Sequence, residues 1–275
     1  MALLRTSLAL LALLAVTACN APTTIDPDVT QQELRAEAEA QRIAAKQAPL
    51  DFNDNKTYGE HQVEALAGRL APIATRVSRA AGALCNDMYA GKRNCTFTVV
   101  LAAKERGVNA HADGQNVAIY PGMVDFTRND NQLAFAIAHE FAHNIMQHVQ
   151  ASTQNIAIGS LLGSVADIAV SAAGANSGGV FGQIGQYQGR MQYSVDYEAE
   201  ADYVGLYILA RSGYRIEDAP DFWRIMSRLH PDSINMTSDH PNNPSRTIAM
   251  GKTVEEIRAK QKVGTPLIPN IRPKK

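Results

Sequence analysis

The stretch that most narrows what this chain can fold into is Asn131-Gln-Leu-Ala-Phe-Ala-Ile-Ala-His139-Glu140-Phe-Ala-His143. Two histidines four residues apart project from one face of an α-helix, one turn apart, so their nitrogens can grip one metal ion. Glu140 sits about 100° round from His139, where its carboxylate can reach a water at the metal without being a ligand, the place of a general base. Leu133, Ala136, Ile137 and Phe141 recur at helical spacing, and Asn129 offers a cap with Gln132 three residues on. The motif therefore lies on a helix with a buried face, and its third ligand must come from elsewhere.

That ligand is sought among the acids of Met191 to Arg211, a second helical stretch. Glu198, Asp202, Gly205 and Leu209 fall on one face. Glu198 can complete the metal site, Asp202 one turn on can orient a histidine ring, and Gly205 permits close helix approach. Glu200 is rotated about 200° from Glu198 and is expected to point away from the histidines. His148 misses the third-histidine position of the longer His-x-x-Gly-x-x-His pattern, which falls on Val149, and is expected to be a surface or buttressing histidine. His111 is not expected to bind metal.

Composition removes one class of partner. Lysine plus arginine number 26 against 27 acidic residues, so the basic stripe that nucleic acid requires is missing. The 45% hydrophobic content suits an ordinary globular core.

The N-terminus reads as a targeting segment. Arg5 precedes an apolar run, Leu8 to Val16, too short to span a bilayer but right for a signal peptide over residues 1–18. The run ends Val16-Thr-Ala-Cys19, which looks like the bacterial lipobox, so Cys19 is expected to be lipidated and to anchor the chain, each buried methylene contributing about 0.8 kcal/mol. Asn20 in place of aspartate resembles lipoproteins sorted to the outer membrane. Export would place Cys85 and Cys95 in an oxidising compartment, where they form an even pair and are expected to bridge. Closing so short a loop contributes roughly 2.5–3 kcal/mol.

Between these features the chain divides simply. Residues 19–55 read as a lipidated tether followed by a solvated spacer helix, Thr30 to Lys46; residues 56–262 as the functional domain; residues 263–275 as a basic, proline-rich tail. Tyr58 to Cys85 is a helix with Leu66, Leu70, Ile73, Val77 and Leu84 on its stripe and Pro72 inside it. Thr96–Leu101 and Asn116–Tyr120 read as strands, with Val108–Asp113 between them as a sheet edge to which an extended peptide could add. Ile156 to Ala173 has the length of a membrane span. A single crossing there would separate His143 from Glu198 by a bilayer, so a closely packed small-residue hairpin is expected, and Gly174 to Gly189 reads as a mobile loop, a candidate lid. Ile216 to Leu229, carrying Trp223 in the core, and Ser245 to Lys262 complete the helices.

Taken in order, Asn109-Ala110 before a strand, His139 to His143, Glu198 to Asp202 through Gly205 to Gly213-Tyr214, and His240-Pro241 with Arg246 resemble the zinc metallopeptidases of the HtpX and CAAX prenyl endopeptidase type. The resemblance covers most of residues 95–250. It implies an α+β fold, a predominantly helical zincin-like domain with a small β-sheet beside the active-site helix. It also implies one zinc ion per chain held by His139, His143 and Glu198, Glu140 activating water, and Asp202 behind a ligand. His240 would lie near the metal, and Arg246 would brace that region. His111 departs from the family, which usually has an aromatic or apolar residue there, so the substrate edge differs. The absence of membrane spans in this reading is similar to the single-domain periplasmic lipoproteins of the family. Unfolded or extended envelope proteins are then the expected substrates and hydrolysis the expected activity; the alternative is a chaperone-like binding protein with an autoinhibited zinc site.

Overall fold

The computed structural model describes residues 30–46, 52–191, 194–229 and 244–271. The leader, Cys19, the tether before residue 30 and His240 lie outside the described residues. Two helices at the centre, α4 (Asp130–Met146) and α7 (Ser194–Arg211), carry the motif residues and pack against one another. The start of α4 is set by Asn129, whose Oδ1 accepts from the Gln132 N–H at 3.1 Å, while Gln132 Oε1 accepts from the Arg128 N–H at 3.0 Å. Alanines at 134, 138 and 142 keep α4 slim, and Leu133, Phe135, Ile137 and Phe141 are completely enclosed. Each of those large side chains contributes about 1.5–3 kcal/mol by leaving water. At Gly205 the two helices nearly touch, because a Cβ there would lie 3.2 Å from His139 Cα.

Around this pair the other elements form a cover. Helix α2 (Glu60–Tyr89) lays Leu70, Ile73, Val77 and Leu84 against α4 and α7, and the Cys85 and Cys95 sulfurs lie within bonding distance, their Cα atoms 5.6 Å apart. Three short strands follow, β1 (Thr98–Leu101), β2 (Ala110–Ala112) and β3 (Asn116–Ile119), in the order β1-β3-β2. β1 runs parallel to β3 with Thr98 opposite Asn116, and β2 runs antiparallel with Ala110 opposite Ile119. Val117 and Ile119 are buried towards α4, and β2 is the sheet's edge beside that helix. Asn144, next to His143, ties the sheet down: its Oδ1 accepts from Gly114 N–H at 2.7 Å and its Nδ2 donates to Asn116 O at 3.0 Å. A short helix α3 (Pro121–Phe126) links sheet to α4.

Gln147 ends α4 in the left-handed region, φ 61°, and the chain leaves as α5 (His148–Ala172), which returns as α6 (Val180–Met191). Ile156 to Ala173, expected to fold as a hairpin by itself, is instead one arm of a continuous helix, and the partner arm is the glycine-rich stretch expected to be a loop, helical from Val180. Its glycines are helix-packing positions: a methyl at Gly159 would strike the Gly185 carbonyl, one at Gly163 that of Phe181, and one at Gly189 that of Asn155.

Helices α8 (Ala219–Leu229) and α9 (Pro244–Lys262) close the other side of the pair. The N-terminal α1 (Gln31–Lys46) is not the free spacer expected from its composition. Glu37 receives two bonds from Arg224, at 3.0 and 2.7 Å, and Gln41 reaches Thr247 at 3.2 Å, so buried polar side chains clamp α1 onto α8 and α9. Such contacts carry no apolar periodicity, and the sequence pattern therefore shows none.

Candidate metal centre

His139, His143 and Glu198 converge at the contact of α4 with α7, their ligand atoms within 4.8 Å of one another. His139 Nε2 and His143 Nε2 are 3.1 Å apart, and the two Glu198 oxygens lie 3.2 Å from one nitrogen each. A tetrahedral ion with bonds of about 2.0–2.1 Å has ligand separations of about 3.3 Å, so the three donors already stand at nearly the spacing that zinc requires. Glu140, also buried, is on the same helix beside His139. Among the described residues, four buried carboxyl groups, Glu140, Glu198, Glu200 and Asp202, gather at the site with one buried guanidinium, Arg246, an acidic excess that suits a divalent cation.

Each ligand is held from behind. His139 Nδ1 lies 3.0 Å from Asp202 Oδ1, which turns its Nε2 towards the site. Asp202 is fixed in turn by Arg246, through Nε at 2.7 Å and Nη2 at 3.0 Å, and by the indole N–H of Trp223 at 2.9 Å. Burial opposes ionisation of Asp202, but Arg246 and then His139 hold its pKa below the usual carboxylate range. Burial also disfavours protonated His139, yet the Asp202 and Glu198 hydrogen bonds outweigh it and raise that pKa. Arg246 Nη2 also stands 3.2 Å from Glu198 Oε2, and its guanidinium lies 4.3 Å over the Trp223 ring. The bracing expected of Arg246 is thus a direct contact with both acids of the Glu-x-x-x-Asp pair.

His143 is held by His148, the buttressing alternative of the sequence reading, and through it by Glu200, which that reading had pointing away. His148 is buried, not on the surface, and its Nδ1 lies 3.0 Å from His143 Nδ1. Its Nε2 lies 2.7 Å from Glu200 Oε2, so Glu200 faces inward and is 2% exposed. The helical rotation that takes Glu200 away from Glu198 is real, but His148 bridges the gap. Tyr197 stacks on His148 with ring centres 4.6 Å apart. Burial presses His143 to about 4 and His148 to about 3, so both rings are neutral near pH 7. With Glu200 accepting from His148 Nε2–H, His148 Nδ1 can accept only from His143 Nδ1–H, which leaves His143 Nε2 with its lone pair for the metal. The left-handed turn at Gln147 folds His148 back onto His143, and no periodic pattern encodes that. Trp223, read as core, was detectable only as the chain's sole tryptophan. His111 is exposed on β2, edge-on to Tyr120, and takes no part in the three-donor cluster.

Comparison with known proteins agrees with this geometry. Residues 69–254 match the sequence profile of peptidase family M48. The chain is 30% identical over 146 residues to the mitochondrial metalloendopeptidase OMA1 of Saccharomyces cerevisiae, the match covering 50% of this chain and 41% of that protein. It is 30% identical over 149 residues to the beta-barrel assembly-enhancing protease of Yersinia pestis, covering 50% of this chain and 31% of that one. With the protease of the same name from Escherichia coli K12 it shares 30% over 127 residues, 42% of this chain and 25% of that one. The chain thus spans less than half the length of each of these relatives.

Proposed function

The chain belongs to peptidase family M48, and from that premise we propose that it is a zinc-dependent endopeptidase of the bacterial cell envelope that degrades misfolded or unassembled envelope proteins. The observation that carries this reading is the convergence of His139, His143 and Glu198 at zinc-like spacing with Glu140 alongside. Zinc held there supplies Lewis acidity, acidifying water to a pKa of about 7 and polarising a peptide carbonyl. Glu140 accepts the proton of the attacking water and delivers it to the leaving amine. Asp202 and the His148–Glu200 pair hold the two ligand rings in their metal-facing tautomers, and Arg246 keeps Glu198 and Asp202 in place. An extended substrate adds to the exposed edge of β2, whose backbone runs beside α4.

The envelope assignment is supported by the beta-barrel assembly-enhancing proteases among the relatives and by residues 1–18, which read as a lipoprotein leader before Cys19. The Cys85–Cys95 approach supports it too, since an oxidising compartment keeps such a bridge. On this reading Cys19 carries the lipid anchor to the outer membrane. Casein digestion by the purified protein, with and without chelator, tests the activity. Glu140→Gln should lose cleavage by at least about 100-fold while retaining zinc, because it removes the proton acceptor and none of the ligands. Cleavage near the wild-type rate in that variant would end the mechanism, and casein binding without cleavage by the zinc-loaded wild type would point to the chaperone-like alternative.

A further inference from the structure

The α5–α6 hairpin is built inside out. Two helices that pair in water bury their large apolar side chains between them; here the arms meet at Gly159, Gly163, Gly185 and Gly189 and turn the large side chains away. Leu161, Val165 and Ile168 fall about 180° round α5 from Gly159 and Gly163. Phe181, Ile184 and Tyr187 are exposed on α6, and the exposure of the six runs from 40% at Phe181 to 68% at Ile168. Helix α5 is long and apolar enough to cross a membrane, yet only 6% of its most apolar stretch is buried within the protein. An apolar face of that size, left uncovered by the rest of the protein, marks a surface that meets something else.

Charge and length say what that is. From Val149 to Gly189 the sole charged side chain is Asp167. Its oxygens are engaged inside the hairpin, Oδ1 by the Ser177 hydroxyl and the Phe181 N–H, Oδ2 by the Gly182 N–H at 2.8 Å. The exposed side chains are spread along both arms, which hydrocarbon covers together whereas a groove sized for one helix would cover a single arm. Close contact through small residues is also how helices pair in lipid, where large apolar side chains gain nothing by facing each other. We propose that this hairpin inserts into one leaflet of a lipid bilayer as a re-entrant anchor. Its short arm, twelve residues in α6, is about 18 Å long, enough to reach the middle of a hydrocarbon core about 30 Å thick and not to cross it. Both arms return to the metal centre, so His143 and Glu198 remain on one side of the membrane. This removes the objection to a single crossing.

The test uses the full chain with single cysteines introduced as Leu161→Cys, Ile168→Cys or Val263→Cys. Each is labelled with nitrobenzoxadiazole, with the unsubstituted chain labelled in parallel as background, and reconstituted in phosphatidylcholine vesicles. Val263, 74% exposed and outside the hairpin, reports water. Labels at 161 and 168 should shift to the blue and be quenched by spin labels on the acyl chains, with the label at 263 unchanged. Labels at 161 and 168 as accessible to aqueous iodide as the one at 263 would overturn the proposal. So would a blue shift without vesicles accompanied by a dimer in sedimentation, because a second copy would then be the cover. Zinc content of each variant confirms an intact metal core and keeps this outcome separate from the fate of the peptidase reading.

Discussion

His143 has both ring nitrogens committed, one to the metal site and one to His148, and that makes Glu200 testable at a distance. Helix rotation alone predicts that Glu200→Ala is silent. The chain of contacts predicts instead that zinc affinity falls about 10–100-fold, as losses behind a ligand typically do. His148→Ala should match it, and the double variant should be no worse than either single, because both break one relay. Glu198→Ala removes a ligand and should lose zinc altogether in the same competition titration against a chelating dye. Wild-type affinity in Glu200→Ala would show that the relay does not position His143. The convergence of His139, His143 and Glu198, with Glu140 alongside, was legible because it follows from fixed spacing on two helices. The support behind His143 was not, since it depends on a left-handed Gln147, a conformation that a glutamine in sequence does not signal.

The close approach of α4 and α7 rests on the missing side chain of Gly205. In Gly205→Ala the new methyl would stand 3.2 Å from both the Cα and N of His139, so α7 must move outward and carry Glu198, two turns earlier, with it. Overpacking of this kind costs about 1–3 kcal/mol. We expect a melting temperature lower by about 2–4 °C for each kcal/mol and weaker zinc binding, read by calorimetry and metal titration. Unchanged zinc affinity would mean that α7 tolerates the displacement without moving its ligand. Most elements were legible to within a few residues, since α2, α4, α7 and the strands show their period in apolar residues. Helix α6 was not: six of the sixteen residues from Gly174 to Gly189 are glycine, a density that reads as a loop when the helices are assumed to face water. Nor was the docking of α1, which rests on Glu37 and Gln41.

Across the whole molecule the metal donors come from α4 and α7, with Arg246 of α9 behind them, so an ion would tie segments more than fifty residues apart. Chelation should therefore lower the unfolding temperature of the entire domain, and free zinc at about 1,000 times its dissociation constant should restore about 4 kcal/mol. A metal-stripped protein that melts at the same temperature would show that the buried acids are already balanced without a cation. The hairpin has the opposite relation to that domain. At its neck His148 stacks on Tyr197, Asn155 Nδ2 donates to the Tyr197 hydroxyl at 3.3 Å, and Gly189 rests on the Asn155 carbonyl. Whatever lies beyond that clasp can lengthen, shorten or change its polarity while the entry and exit stay where they are. The metal-binding body and the hairpin proposed to enter the bilayer can therefore evolve at different rates, two modules within one uninterrupted chain.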